Sequence, residues 1–114
     1  MFIPTINPLE RYLRMAEVFL VEDEVMIRMM VDDMLGELGH RVVGEAGQID
    51  QALELAKHLD FDLAILDVNV AGKIITPVAD LMKSMKRPFF FASGYGSTGI
   101  PPAYRGHAAL QKPF

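Results

Sequence analysis

A doubly wound α/β domain built on one parallel sheet is the fold this sequence predicts. Three observations carry that prediction. Short apolar runs alternate with segments of helical periodicity along most of the chain, the pattern of βαβ units joined by right-handed crossovers. The runs at 18–21, 63–66 and 89–92 are almost wholly apolar, as expected of strands buried on both faces. The chain has 114 residues, 51% of them hydrophobic, with no internal repeat and no low-complexity linker. That is enough for one core and suggests one domain.

The elements follow in order. Residues 1–16 form an extension before the first strand. Within it Asn7-Pro8-Leu9-Glu10 reads as a helix start, with Asn7 as N-cap, Pro8 in the first turn and Glu10 as capping partner. Leu9, Tyr12, Leu13 and Ala16 would share one face. A frayed tail and a docked helix are both open here. The strand at 18–21 leads into a helix over 24–38. Ile27, Val31, Met34, Leu35 and Leu38 make its expected buried stripe, and Gly39 stops it. Met30 is expected to join the core, and Met26 and Met29 to lie on a more exposed side. A strand at 41–46, a helix at 49–58 and a strand at 63–66 come next. Thr76 as N-cap and Pro77 as first helical residue open a third helix to about residue 85. Pro88 introduces the strand at 89–92, and a short fifth strand covers 108–111.

Two features break the alternation. Gly94, Gly96, Gly99, Gly106 and Pro101-Pro102 fall where a fourth helix would stand, so a loop or one short turn is expected there. The sequence ends at Phe114, which leaves no residues for a helix after the fifth strand. One sheet face is then expected to need a cover, either the N-terminal segment or a second copy of the chain.

Composition narrows the function. A formal net charge of -4 argues against nucleic acid as a direct partner. No cysteine is present, so disulfide and thiolate chemistry are excluded. No apolar run is long enough to span a bilayer and no signal-peptide pattern opens the chain. A cytoplasmic protein without membrane or nucleic-acid partners is the expectation. His40, His58 and His107 show no metal-ligand spacing and read as structural or solvated.

The chemistry lies at predicted strand ends. Glu22-Asp23 follow the first strand, Asp67 the third, Ser93 the fourth and Lys112 the fifth. Carboxyl ends of parallel strands share one sheet edge, where ligands bind. Singly, each group has a plainer reading: acids at a solvated helix start, a turn serine before Gly94, a surface lysine. Together they suit a divalent metal and a phosphoryl group. A carboxylate and a phosphoryl donor repel each other, and Mg2+ between them relieves that repulsion. Asp23 and Asp67 would supply ligands directly, Glu22 through water, and the backbone carbonyl of Asn69 another. Ser93 and Lys112 would hold phosphoryl oxygens.

These same segments carry a family resemblance. Val18 through Glu24, Leu63 through Asn69, Ser93-Gly94 and Lys112-Pro113-Phe114 resemble response-regulator receiver domains over about 17–114. The resemblance implies a five-stranded sheet of order 2-1-3-4-5 and assigns Asp67 as phosphoacceptor, with Glu22 and Asp23 as the acidic metal pocket. It matches Asn69 to the position whose carbonyl binds Mg2+, Ser93 to the switch hydroxyl and Lys112 to the phosphate-contacting lysine. It also implies a cis Lys112–Pro113 bond, a histidine kinase or histidine phosphotransferase as phosphoryl source, and a downstream protein partner. Departures accompany it. Val70-Ala71-Gly72-Lys73 is short, and Ala109 stands where most members carry a switch aromatic. Phe91-Ala92-Ser93-Gly94-Tyr95 is similar to the signature of the so-called FAT GUY receivers, which share the irregular fourth segment.

The expected function is a phosphorylatable signalling switch, not an enzyme beyond its own phosphorylation and dephosphorylation. A homodimer across the open face is a further expectation. Two other readings remain: a phosphorylation-independent binding module, and a small phosphohydrolase with Asp67 as nucleophile. Against the last, Asn69 stands where such enzymes need a second aspartate.

Overall fold

Alternation along each strand sorts the core into two layers. The computed structural model describes residues 15–93, 99–107 and 109–111. β1 (Glu17–Val21) pairs in parallel with β2 (Arg41–Ala46) on one side and β3 (Leu63–Asp67) on the other. β6 (Phe89–Ser93) and β7 (Ala109–Gln111) extend the sheet, giving the order β2-β1-β3-β6-β7. This is the expected 2-1-3-4-5 arrangement of the five sheet strands. Phe19, Val21, Ala64, Leu66, Phe89 and Phe91 face one layer. α2 (Ile49–His58) and α3 (Thr76–Ser84) cover it with Ala52, Ala56, Val78, Ala79 and Met82. Val18, Leu20, Ile65 and Ala92 face the other layer, under Val31 and Leu35 of α1 (Val25–Glu37). Truncating a fully buried residue such as Leu66 or Phe91 to alanine is worth about 2–5 kcal/mol.

Helix ends follow from backbone chemistry. Gly39, at φ 88°, ends α1. His40 N–H then bonds Leu35 C=O at 2.8 Å, and Gly39 N–H bonds Gly36 C=O at 3.1 Å. These are the two hydrogen bonds of a Schellman motif. The same motif closes α3, where Arg87 N–H bonds Met82 C=O at 2.9 Å and Lys86 N–H bonds Lys83 C=O at 3.1 Å. There the left-handed position holds Lys86, at φ 58°, where glycine would be easier.

Several expectations change. Leu38 is 64% exposed and Met30 is 48% exposed. Leu38 is the C-cap residue, where the chain leaves the helix. Met30 lies about a quarter-turn off the stripe of Ile27, Val31 and Leu35. The N-cap of α3 is Ile75, not Thr76, and no side chain caps it. Ile75 is fully buried, its N–H bonds Val68 C=O at 3.0 Å, and its own C=O accepts from Val78 and Ala79. That anchorage places the chain in helical geometry one residue early.

A small hairpin was also not foreseen. β4 (Asn69–Val70) and β5 (Lys73–Ile74) pair antiparallel beside the sheet. Its two-residue turn is Ala71-Gly72, at φ 54° and 81°. Positive φ at both central residues is the requirement of a type I′ turn. Between β6 and β7 the described residues include a short 3-10 turn, Pro102–Tyr104, where the glycines and prolines predict a loop or short turn. Among the described residues, no helix is long and apolar enough to cross a membrane. The expected N-terminal helix lies outside the described residues, as does Tyr95.

Candidate functional site

Three strand ends bring the acidic and hydroxyl groups together. Glu22 continues the line of β1, its N–H bonding Ala46 C=O at 2.9 Å. Its side chain is 2% exposed and accepts the Glu24 N–H at 3.1 Å. Asp23 turns outward, and its Oδ2 accepts the Ala71 N–H at 3.1 Å. Asp67 closes β3 at 8% exposure and pairs across the sheet with Ala92. Its Oδ1 also lies 3.5 Å from the Asn69 N–H. Ser93 closes β6 at 3% exposure and pairs with Gln111 of β7.

Carboxylate oxygens of Glu22, Asp23 and Asp67 all lie within 4.8 Å of one another. Three hard oxygen donors at that spacing fit a small divalent cation such as Mg2+, which keeps part of its water shell. Burying two of the three acids concentrates negative charge where a cation offsets it. The sequence reading of Glu22, Asp23 and Asp67 as one group is therefore matched by their geometry. Asn69 belongs to the exposed start of the hairpin, immediately beyond Asp67. Lys112, the cis Lys112–Pro113 bond and Gly94 fall outside the described residues.

A cavity of about 400 Å3 opens over this edge. Asp67 and Ser93 lie on it, with Ile74 and Thr76 on one side and Ile100 and Pro101 on the other. Sequence reasoning missed two residues beside it. Tyr104, in the 3-10 turn, is 8% exposed, and its hydroxyl donates to Asp80 Oδ1 of α3 at 2.5 Å. Burial first, then the bond to Asp80 and its charge, push the Tyr104 hydroxyl up to about 12. The apolar neighbours of Tyr104 come from β6, so local sequence carries no sign of them. The histidines have structural or solvated roles. His40 Nδ1 accepts the Ala16 N–H, His58 pairs with exposed Glu54, and His107 stacks on Phe89 with ring centroids 4.2 Å apart.

Comparison with known proteins finds relatives by sequence and by fold. Residues 18–75 match the family described as the response regulator receiver domain. The transcriptional regulatory protein PdtaR of Mycobacterium tuberculosis is 38% identical over 82 residues, which cover 61% of this chain and 40% of PdtaR. The chain thus spans well under half the length of that relative. The solution structure of SdrG from Sphingomonas melonis Fr1 superposes with a TM-score of 0.76 at 36% identity, covering 89% of this chain and 86% of that one. A BeF3-activated conformation of SdrG, from Pseudomonas melonis Fr1, gives a TM-score of 0.74 at 37% identity, covering 86% of this chain and 84% of that one.

Proposed function

The chain belongs to the response regulator receiver domain family, and from that premise we propose that Asp67 accepts a phosphoryl group from a phosphohistidine of a histidine kinase or histidine phosphotransferase. One observation carries this reading: the Asp67 carboxylate stands within 4.8 Å of those of Glu22 and Asp23, at the sheet edge that also bears Ser93. An Asp67 oxygen attacks phosphorus, the histidine N–P bond breaks, and an acyl phosphate forms while the imidazole takes up a proton. Bound Mg2+ would neutralise charge between the carboxylate and the phosphoryl oxygens. Glu22 and Asp23 would hold that cation beside Asp67. Ser93 donates to a phosphoryl oxygen, and Lys112, which matches the family's phosphate-contacting lysine, supplies a cation.

The output is conformational. Adding a phosphoryl group replaces a carboxylate by a bulkier dianion beside Ser93, which biases the neighbouring loop between arrangements. Protein binding then reads that bias, and the domain turns over no separate substrate. The exposed ridge of Met26, Met29 and Met30 on α1 suits a partner helix bundle. The phosphohydrolase reading loses support because Asn69 lacks the second acid.

Intact-mass spectrometry after incubation with acetyl phosphate tests the proposal. A single phosphoryl adduct that requires Mg2+ and vanishes in Asp67→Asn is expected. A folded protein that forms no adduct and shows no spectral response to beryllofluoride would instead be a phosphorylation-independent module.

A further inference from the structure

The cavity over Asp67 has two walls from distant parts of the chain. Ile74 and Thr76 form one, where β5 runs into α3. Gly99, Ile100, Pro101 and Pro102 form the other. One helical turn beyond Thr76 stands Asp80, and two residues beyond Pro102 stands Tyr104. The bond between them, Tyr104 O–H to Asp80 Oδ1 at 2.5 Å, ties the two walls together.

Both ends of that bond are set by surrounding structure. Tyr104 N–H bonds Pro101 C=O at 2.8 Å, which fixes the tyrosine backbone to the proline wall. The ring packs edge-on against Phe89 and Phe91, with centroids 5.8 and 5.6 Å away. Phe91 lies two residues before Ser93 on β6, so the same ring touches the strand that presents the site hydroxyl. The acceptor is a carboxylate on an exposed turn of α3. Its charge makes the bond stronger than one between neutral groups.

We propose that Tyr104 and Asp80 form a latch that holds the 99–102 wall against α3 and restrains the cavity over Asp67, so that the phosphorylated arrangement forms only at the cost of loosening it. Both are positioning residues, acting through the wall and not on the phosphoryl group. The proposal rests on Asp67 being the phosphoacceptor. A bond made in one arrangement and lost in the other shifts their populations by its differential strength.

Tyr104→Phe removes the donor and keeps the ring packing. Asp80→Ala removes the acceptor at an exposed position, and so tests the latch even if the tyrosine variant folds poorly. The measurement is a beryllofluoride titration with Mg2+, followed by NMR of the Ile74 and Ile100 methyl groups. Both variants should shift those methyl signals before any beryllofluoride is added. Each should tighten apparent beryllofluoride affinity about three- to tenfold. The double variant should gain no more than either single one, because one bond is lost in all three. Unchanged or weakened affinity overturns the latch, as do methyl signals that stay in place. If the wild-type protein gives no beryllofluoride response, the phosphoacceptor reading fails by itself. The free-state methyl shifts then decide the latch: movement supports a tied wall, and none overturns it.

Discussion

Asp23 Oδ2 and the Ala71 N–H, 48 residues apart in sequence, meet in a 3.1 Å hydrogen bond. The outermost acid of the cluster is thereby held by the turn of the β4–β5 hairpin. Holding one carboxylate from outside leaves its second oxygen directed by the same contact. Asp23→Asn keeps the size and an acceptor for Ala71 but removes a charge from the cluster. It should weaken Mg2+ binding at least about tenfold, in line with changes next to metal ligands generally. Isothermal titration calorimetry of the two proteins with MgCl2 checks this, and equal affinities would remove Asp23 from the metal pocket.

Ser93 and Asp67 end neighbouring strands, and each has a distinct expected effect. Ser93→Ala should still yield the Mg2+-dependent phosphoryl adduct on Asp67, because the nucleophile and the acids are untouched. Beryllofluoride affinity should fall about three- to tenfold, the scale of one hydrogen bond. Loss of the adduct in a folded Ser93→Ala protein would place Ser93 in the transfer step itself.

Tyr104 makes stability depend on alkaline pH. Its hydroxyl is raised from 10.0 to about 12 in the folded state. The folded protein therefore holds that proton more tightly than the unfolded chain. The stabilisation is complete below pH about 10 and is lost as pH rises through about 12. Urea midpoints measured from pH 8 to 12 should fall across that upper window in the wild type. In Tyr104→Phe the fall should be shallower, and identical profiles would show that another group controls it.

Lys86 occupies a left-handed backbone position at φ 58°, closing α3 from an exposed site. A side chain there costs about 1 kcal/mol relative to glycine. Lys86→Gly should raise the thermal midpoint by a few degrees despite removing a cation from the helix C-terminus. No rise would mean that this charge matters more than the backbone geometry.

An apolar groove of about 300 Å3 lies on the α1 side of the sheet, lined by Ala16, Leu35, Leu63, Ile65 and Phe90 among others. The chain enters it at Ala16, directly after the segment carrying Leu9, Tyr12 and Leu13. Deleting residues 1–14 should lower the thermal midpoint by the same amount at every protein concentration. A loss that vanishes at high concentration would point to a second copy covering the face. An unchanged midpoint would leave the segment with no stabilising role.

Most of the architecture was legible because it rests on local periodicity. Val18, Phe19, Leu20 and Val21 announce a doubly buried strand whatever lies around them, and Gly39 marks a helix end through its own backbone freedom. Glu22, Asp23, Asp67 and Ser93 were legible as neighbours at one edge because parallel topology sends every strand end there. Tertiary structure decided what depends on residues distant in sequence. Ile75 caps α3 because Val68 holds its N–H. Met30 is exposed because the apolar stripe of α1 is narrower than its apolar composition suggests. The Ala71-Gly72 turn reaches Asp23 only once β1 and β3 lie side by side. Tyr104 finds Asp80 only when β6 has brought its loop against α3. Periodicity is written into neighbouring residues, whereas a hydrogen bond across the fold exists only after the sheet has set the distance between its partners.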